Sequence, residues 1–168
     1  MTVHEMPAPV PQQLDDGTHL TLITDAVTIR VSTAESGGAY ALYETETPPS
    51  GGYPPHTERY DDVTFVVIAG TYAVLIGDNQ VELGPGGNAF IPRGTLHAYL
   101  NPGSEPARML VLVTPGGIHE QFIEEVGDRA GRAAWEPDMA RLLAVAPKYG
   151  IEFLRPEDAD EPEPFTHT

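Results

Sequence analysis

The chain contains no cysteine. Disulfides, thiolate metal sites and thiol nucleophiles are therefore excluded, and redox chemistry gives no reading of compartment. Positive charge is scarce. Nine Lys and Arg, among them the single lysine Lys148, stand against 25 Asp and Glu, for a formal net charge of −16. A surface of that sign repels phosphate backbones, which argues against nucleic acid as a partner, and its plainest effect is solubility. No apolar run approaches the roughly 20 residues that cross a bilayer, so no membrane partner is expected. The opening MTVHEMPAPVPQQ lacks the basic start and apolar core of a secretory signal. The expectation is a soluble, cytoplasmic protein.

What the chain has in abundance is glycine and proline, 17 of each, about a fifth of its 168 residues against a usual share of about 12%. Between them lie short runs rich in β-branched residues, the composition of an all-β domain with many turns. Residues 1–16 are proline-rich and read as a flexible arm. Residues 17–114 read as a barrel of strands, with two strands turning near Asp25 and an apolar run, Val63 to Ile68, suited to burial on both faces. TPPSGGYPP is expected to form a long bend ahead of the strand that carries His56. From 115 to 154 the period becomes helical. Ile118, Phe122, Ile123 and Val126 share one face, a second helix starts near Asp138, and Ile151 to Leu154 can close as a short strand. Residues 155–168 are acidic and proline-rich and read as a disordered tail.

Gly86 to Asn101 reads GGNAFIPRGTLHAYLN. Gly86, Pro92, Gly94, His97 and Asn101 follow the spacing G-x5-P-x-G-x2-H-x3-N, which resembles the second signature of the cupin family at every position. Upstream, PPHTERYDDVTFVVIAG keeps His56 and the closing Gly70 of the first signature. Glu58 stands where that signature has its second histidine, and Val63 where it has its glutamate. The PPH start, the VIAG turn and the later KYGIEFL resemble small bacterial quercetinase-like cupins over roughly Gly51 to Leu154.

This resemblance implies a cupin (jelly-roll) β-barrel of two antiparallel sheets with short C-terminal helices, paired as a homodimer. It implies that His56, Glu58, Val63 and His97 face a pocket that receives a small-molecule substrate. In metal-binding cupins these positions hold Fe, Mn, Ni, Co, Cu or Zn. Here they leave His56, Glu58 and His97, a two-histidine, one-carboxylate set with open coordination positions. Since two of the four family ligands are replaced, a metal-free pocket is the alternative, with Glu58 as a general base.

Tyr60 falls in alternation with His56 and Glu58, and Tyr99 with His97. Both tyrosines are candidate hydrogen-bond donors to a developing enolate. Val63, Phe65, Val67 and Phe90 are candidate lining residues. His4, His19, His119 and His167 lie outside the signatures and read as solvated or structural. The functional expectation is an enzyme of secondary metabolism acting on a small, largely apolar, oxygenated ring compound. With metal it would be a quercetinase-like dioxygenase, and without it a cyclase, isomerase or dehydratase. A non-catalytic binding protein is the alternative.

Overall fold

Along Ala107–Thr114 every second residue is buried: Ala107, Met109, Val111 and Val113. That period of two makes a strand with one face on a core, and it recurs along most of the chain. The computed structural model describes residues 7–13, 15–129 and 137–155. It contains eleven strands among the described residues: β1 (Thr18–Leu22), β2 (Asp25–Val31), β3 (Ala41–Thr47), β4 (Gly52–Glu58), β5 (Asp62–Ala69), β6 (Tyr72–Ile76), β7 (Asn79–Leu83), β8 (Asn88–Ile91), β9 (His97–Leu100), β10 (Ala107–Thr114) and β11 (Ile151–Phe153). They form two antiparallel sheets, in the orders β1-β2-β3-β10-β5-β8 and β11-β4-β9-β6-β7. Inward side chains of both sheets, among them Val63, Phe65 and Met109 from one and Tyr53, Val74 and Tyr99 from the other, join in one core. The expected two-sheet barrel is therefore the observed one. The structure of the arm's residues 1–6 and 14, and of the tail from 156 on, lies outside the described residues.

The bend expected at TPPSGGYPP is shorter than its composition suggests. β4 already begins at Gly52 and runs through Pro54 and Pro55, with a register shift against β9 between Tyr53 and His56. Proline has no N–H for a ladder, and the irregularity is where a strand tolerates it. The shift also turns Tyr53 and His56, three residues apart, into the same core. Gly52 is required by packing, since a Cβ there would lie 2.1 Å from the Tyr99 carbonyl oxygen on β9.

The second signature is an anchor for the strand beside it. Gly94, at φ 81, closes the Pro92–Thr95 turn, and its N–H donates to the Glu58 carbonyl at 2.7 Å. Buried Asn101 donates through Nδ2 to the carbonyls of Thr47 and Glu105 and accepts the Gly103 N–H at Oδ1. On the opposite edge β11 pairs with β4, setting Ile151 against Glu58 and Phe153 against His56.

Helix α1 (Ile118–Val126) buries His119, Phe122, Ile123 and Val126. The expected face is thus rotated by one residue, with Ile118 36% exposed and His119 turned in. Positions 119, 122, 123 and 126 follow the i, i+3, i+4, i+7 pattern of a helix face, whereas 118 falls at its margin. Two ties hold the helix. The Glu120 carboxylate accepts the Thr33 N–H at 2.7 Å and the Thr33 hydroxyl at 2.9 Å, and a backbone bridge joins Asp128 to Thr21 of β1. Helix α2 (Met139–Val145) is capped by Asp138, whose carboxylate accepts the Arg141 N–H, and a 3-10 turn carries Pro147 into left-handed Gly150 ahead of β11.

Candidate metal centre and cavity

Three imidazole nitrogens surround one carboxylate oxygen. Glu58 Oε1 lies 3.3 Å from His56 Nε2, 3.7 Å from His97 Nε2 and 3.6 Å from His119 Nε2. His56 and Glu58 come from β4, His97 from the neighbouring β9 and His119 from α1. The donor atoms of His56, Glu58 and His97 all lie within 4.8 Å of one another, and all three residues are buried. His119 stands outside that mutual set.

The tautomers are fixed by the backbone. His56 Nδ1 is 2.9 Å from the Pro54 carbonyl oxygen and His97 Nδ1 is 2.9 Å from the Thr95 carbonyl oxygen. A carbonyl oxygen only accepts, so each Nδ1 carries the hydrogen and each Nε2 presents a lone pair to the cavity. Burial holds both rings neutral. It lowers His56 to about 4, and burial with the neighbouring His56 lowers His97 to about 4 against the opposing pull of Glu58. Burial lowers His119 as well. At neutral pH the Nε2 lone pairs of His56 and His97 therefore both face Glu58 Oε1. Glu58 Oε2 is buried without a hydrogen-bond partner. A set of convergent acceptors is satisfied by a cation, and two neutral imidazoles with a carboxylate suit a divalent first-row transition metal.

The cavity beside this cluster holds about 40 Å³ and is lined by both sheets and α1, room for roughly two or three waters. Of the residues singled out in the sequence, His56, Glu58, Val63, Phe65, His97 and Tyr99 border it. Tyr60, Val67 and Phe90 do not. β4 ends at Glu58, so the alternation that would turn Tyr60 inward stops there. Its ring is 45% exposed and would meet any Cβ placed at Gly150. On β8 it is Ala89 and Ile91 that face inward, leaving Phe90 61% exposed. Val67 is buried, but in the core further along β5. Tyr99 reaches the cavity with its proton already engaged, since the hydroxyl donates to Asp25 Oδ2 at 2.5 Å.

The expectation for His119 also changes, because it is a cavity residue. His119 Nδ1 is 3.4 Å from the Tyr43 hydroxyl oxygen. Asp25, Thr45 and Tyr53 border the cavity too. His119 had a legible signal in the spacing of its helix face. Asp25 reads as a turn residue and Tyr53 falls in a proline-rich bend, so neither had one.

Asp61 is 2% exposed with both carboxylate oxygens unpartnered. Burial, reinforced by Glu58, pushes its pKa to about 7 from 3.8. Folding thus takes up a proton at this group between about pH 4 and 7. The stability it contributes is complete below that window and is lost as pH rises through it. Asp61→Asn should raise Tm at pH 8 by roughly 3–10 °C and change little at pH 4. An unchanged or lower Tm at pH 8, measured by calorimetry, would show that the carboxylate is satisfied in solution.

Two facing antiparallel sheets with histidines aimed inward from adjacent strands define a β-barrel protein with an internal cavity, and residues 43–113 match the family model described as a cupin domain. The matched segment, residues 43–113, is a cupin domain. Among curated proteins it is similar to the quercetin 2,3-dioxygenase of Bacillus subtilis (strain 168), 26% identical over 121 residues, covering 71% of this chain and 35% of that protein. It is also similar to the mannose-1-phosphate guanylyltransferase of Escherichia coli (strain K12), 26% identical over 98 residues, 58% of this chain and 20% of that one. The chain thus spans about a third or less of these curated relatives. Among solved structures, KdgF from Halomonas sp. matches with a TM-score of 0.53 at 16% identity, over 58% of this chain and 86% of that one. An oxalate oxidase matches with a TM-score of 0.52 at 24% identity, over 64% and 61%. These two likenesses establish the fold alone.

Proposed function

We propose that the chain is a metal-dependent cupin enzyme that acts on a small oxygenated compound at His56, Glu58 and His97. The observation that carries this reading is the convergence of two backbone-fixed imidazole lone pairs on a buried carboxylate oxygen. A bound divalent ion would supply Lewis-acid polarisation or, for a redox-active metal, one-electron chemistry with dioxygen. The curated relative in Bacillus subtilis supports the oxygenase branch. The residues divide the work. Pro54 and Thr95 hold the rings in the ligating tautomer, Glu58 brings the negative charge, and Val63, Phe65 and Val111 keep the wall apolar. His119, opposite the same carboxylate oxygen, is placed to hydrogen-bond a molecule entering beside Glu58.

The test is elemental analysis of protein purified without a histidine tag. A first-row metal is expected at close to one equivalent, directly or after reconstitution with Fe, Mn, Ni, Co, Cu or Zn. Failure to retain any of them overturns the reading and favours Glu58 acting as a metal-free general base. Because His119 lies outside the mutually close donor set, His119→Gln should leave the metal content within about twofold of the parent. His97→Gln should remove most of it, since one of three ligands is lost. Equal losses in both variants would make His119 a fourth ligand.

A further inference from the structure

Beside the metal cluster, the cavity is lined by further polar residues that are not among its ligands, Tyr53 and Asp25 among them. Tyr53 of β4 is 6% exposed, and its hydroxyl has no hydrogen-bond partner. A phenol is protonated at neutral pH, so a donor lies buried in the wall with nothing to donate to. Its ring is held on three sides, with centroids 4.7 Å from His56, 6.0 Å from Tyr99 and 5.7 Å from Phe153. The hydroxyl therefore cannot swing away to find a partner elsewhere without breaking ring contacts. Asp25, at the start of β2 in the facing sheet, also lines the cavity, at 1% exposure. It already accepts the Tyr99 hydroxyl at 2.5 Å and the Thr24 hydroxyl at 3.2 Å. Each carboxylate oxygen has a further lone pair beyond these bonds. No Lys or Arg borders the cavity among the described residues, so nothing there neutralises an incoming anion next to Asp25 and Glu58.

We propose that Tyr53 and Asp25 form an anchoring subsite that receives the hydroxyl or carbonyl oxygen of an uncharged small molecule, Tyr53 donating to it and Asp25 turning carboxylates away. The proposal rests on the reading that the cavity receives a small molecule, and it does not require the metal. Size points the same way, because about 40 Å³ encloses a molecule of a few heavy atoms or the leading end of a larger one.

The test uses two probes of nearly the same shape, hydroxyacetone and glycolate, which differ in charge. Each is titrated by NMR against the full chain after chelation, so that direct coordination cannot favour the anion. Metal content is measured separately, so loss of the metal reading leaves this result intact. Hydroxyacetone should bind at least about tenfold more tightly than glycolate. Tyr53→Phe should weaken hydroxyacetone by about fivefold, the worth of one hydrogen bond, with Tm unchanged or raised because an unpartnered hydroxyl is removed. Asp25→Asn, which keeps an acceptor for Tyr99, should raise glycolate affinity by a similar factor. Glycolate binding as tightly as hydroxyacetone, or Tyr53→Phe leaving hydroxyacetone affinity unchanged, overturns the proposal.

Discussion

Glu58→Gln should lower metal affinity by at least roughly 10–100-fold, the scale on which even indirect partners of ligands act. The change keeps shape and removes the charge. In the parent, Glu58 Oε1 is the atom on which His56, His97 and His119 all converge. A neutral amide oxygen is a poorer donor to a divalent ion, and its NH2 group would point a hydrogen toward Nε2 lone pairs or leave one unmet. Metal content by mass spectrometry and competition with a chelator read the effect directly, without a substrate. The metal-free alternative gives another pattern: no metal in either protein, and a loss of roughly 10²–10⁴-fold in turnover because a general base is gone. If neither metal content nor turnover moved, Glu58 would be neither ligand nor base. The non-catalytic binding protein would then be the better description.

Val63→Glu should tighten metal binding by about tenfold or more, the second large effect, through ligand charge and number. Val63 stands where the resemblance places the family glutamate. It is 2% exposed, borders the cavity and is flanked on β5 by pairs with Ile91 of β8 and Val113 of β10. That central placement fixes its backbone, so a longer side chain extends into the cavity rather than out of it. Without metal the same carboxylate sits in an apolar wall next to Glu58, at a cost of a few kcal/mol of stability. The variant should therefore show a larger rise in Tm on adding metal than the parent does. A variant destabilised equally with and without metal would show that Val63 does not look on to the ion.

The sequence made the barrel and two of its histidines legible for different reasons. Strand rhythm survives in residues such as Ala107, Met109, Val111 and Val113, because burying one face imposes a period of two. His97 and Asn101 are legible because a tight turn and a buried amide tolerate few substitutes. Asn101 alone satisfies three backbone groups. The rest of the cavity depended on features that a local pattern does not carry. Tyr60 was misplaced because alternation says nothing of where a strand stops. Phe90 was misplaced because β8 is only four residues long and the opposite face suits an aromatic equally well. Tyr53 needed a register shift among prolines to turn inward. His119 needed the docking of α1, which is fixed by Thr33 and Thr21, distant in sequence. The engagement of Tyr99 by Asp25 spans β9 and β2, a long-range pairing that spacing along the chain does not report.

β4 carries both His56 and Glu58, yet its outer flank is closed only by Ile151–Phe153, and His119 arrives on a helix that follows the last barrel strand. Synthesis is vectorial, and early strands can collapse before later ones leave the ribosome. A nascent chain released as far as Thr114 would possess every strand of the barrel but β11. It would have an open β4 edge and no His119. The candidate ligands His56, Glu58 and His97 are thus in place on paired strands before the outer flank of β4 is closed and before His119 arrives.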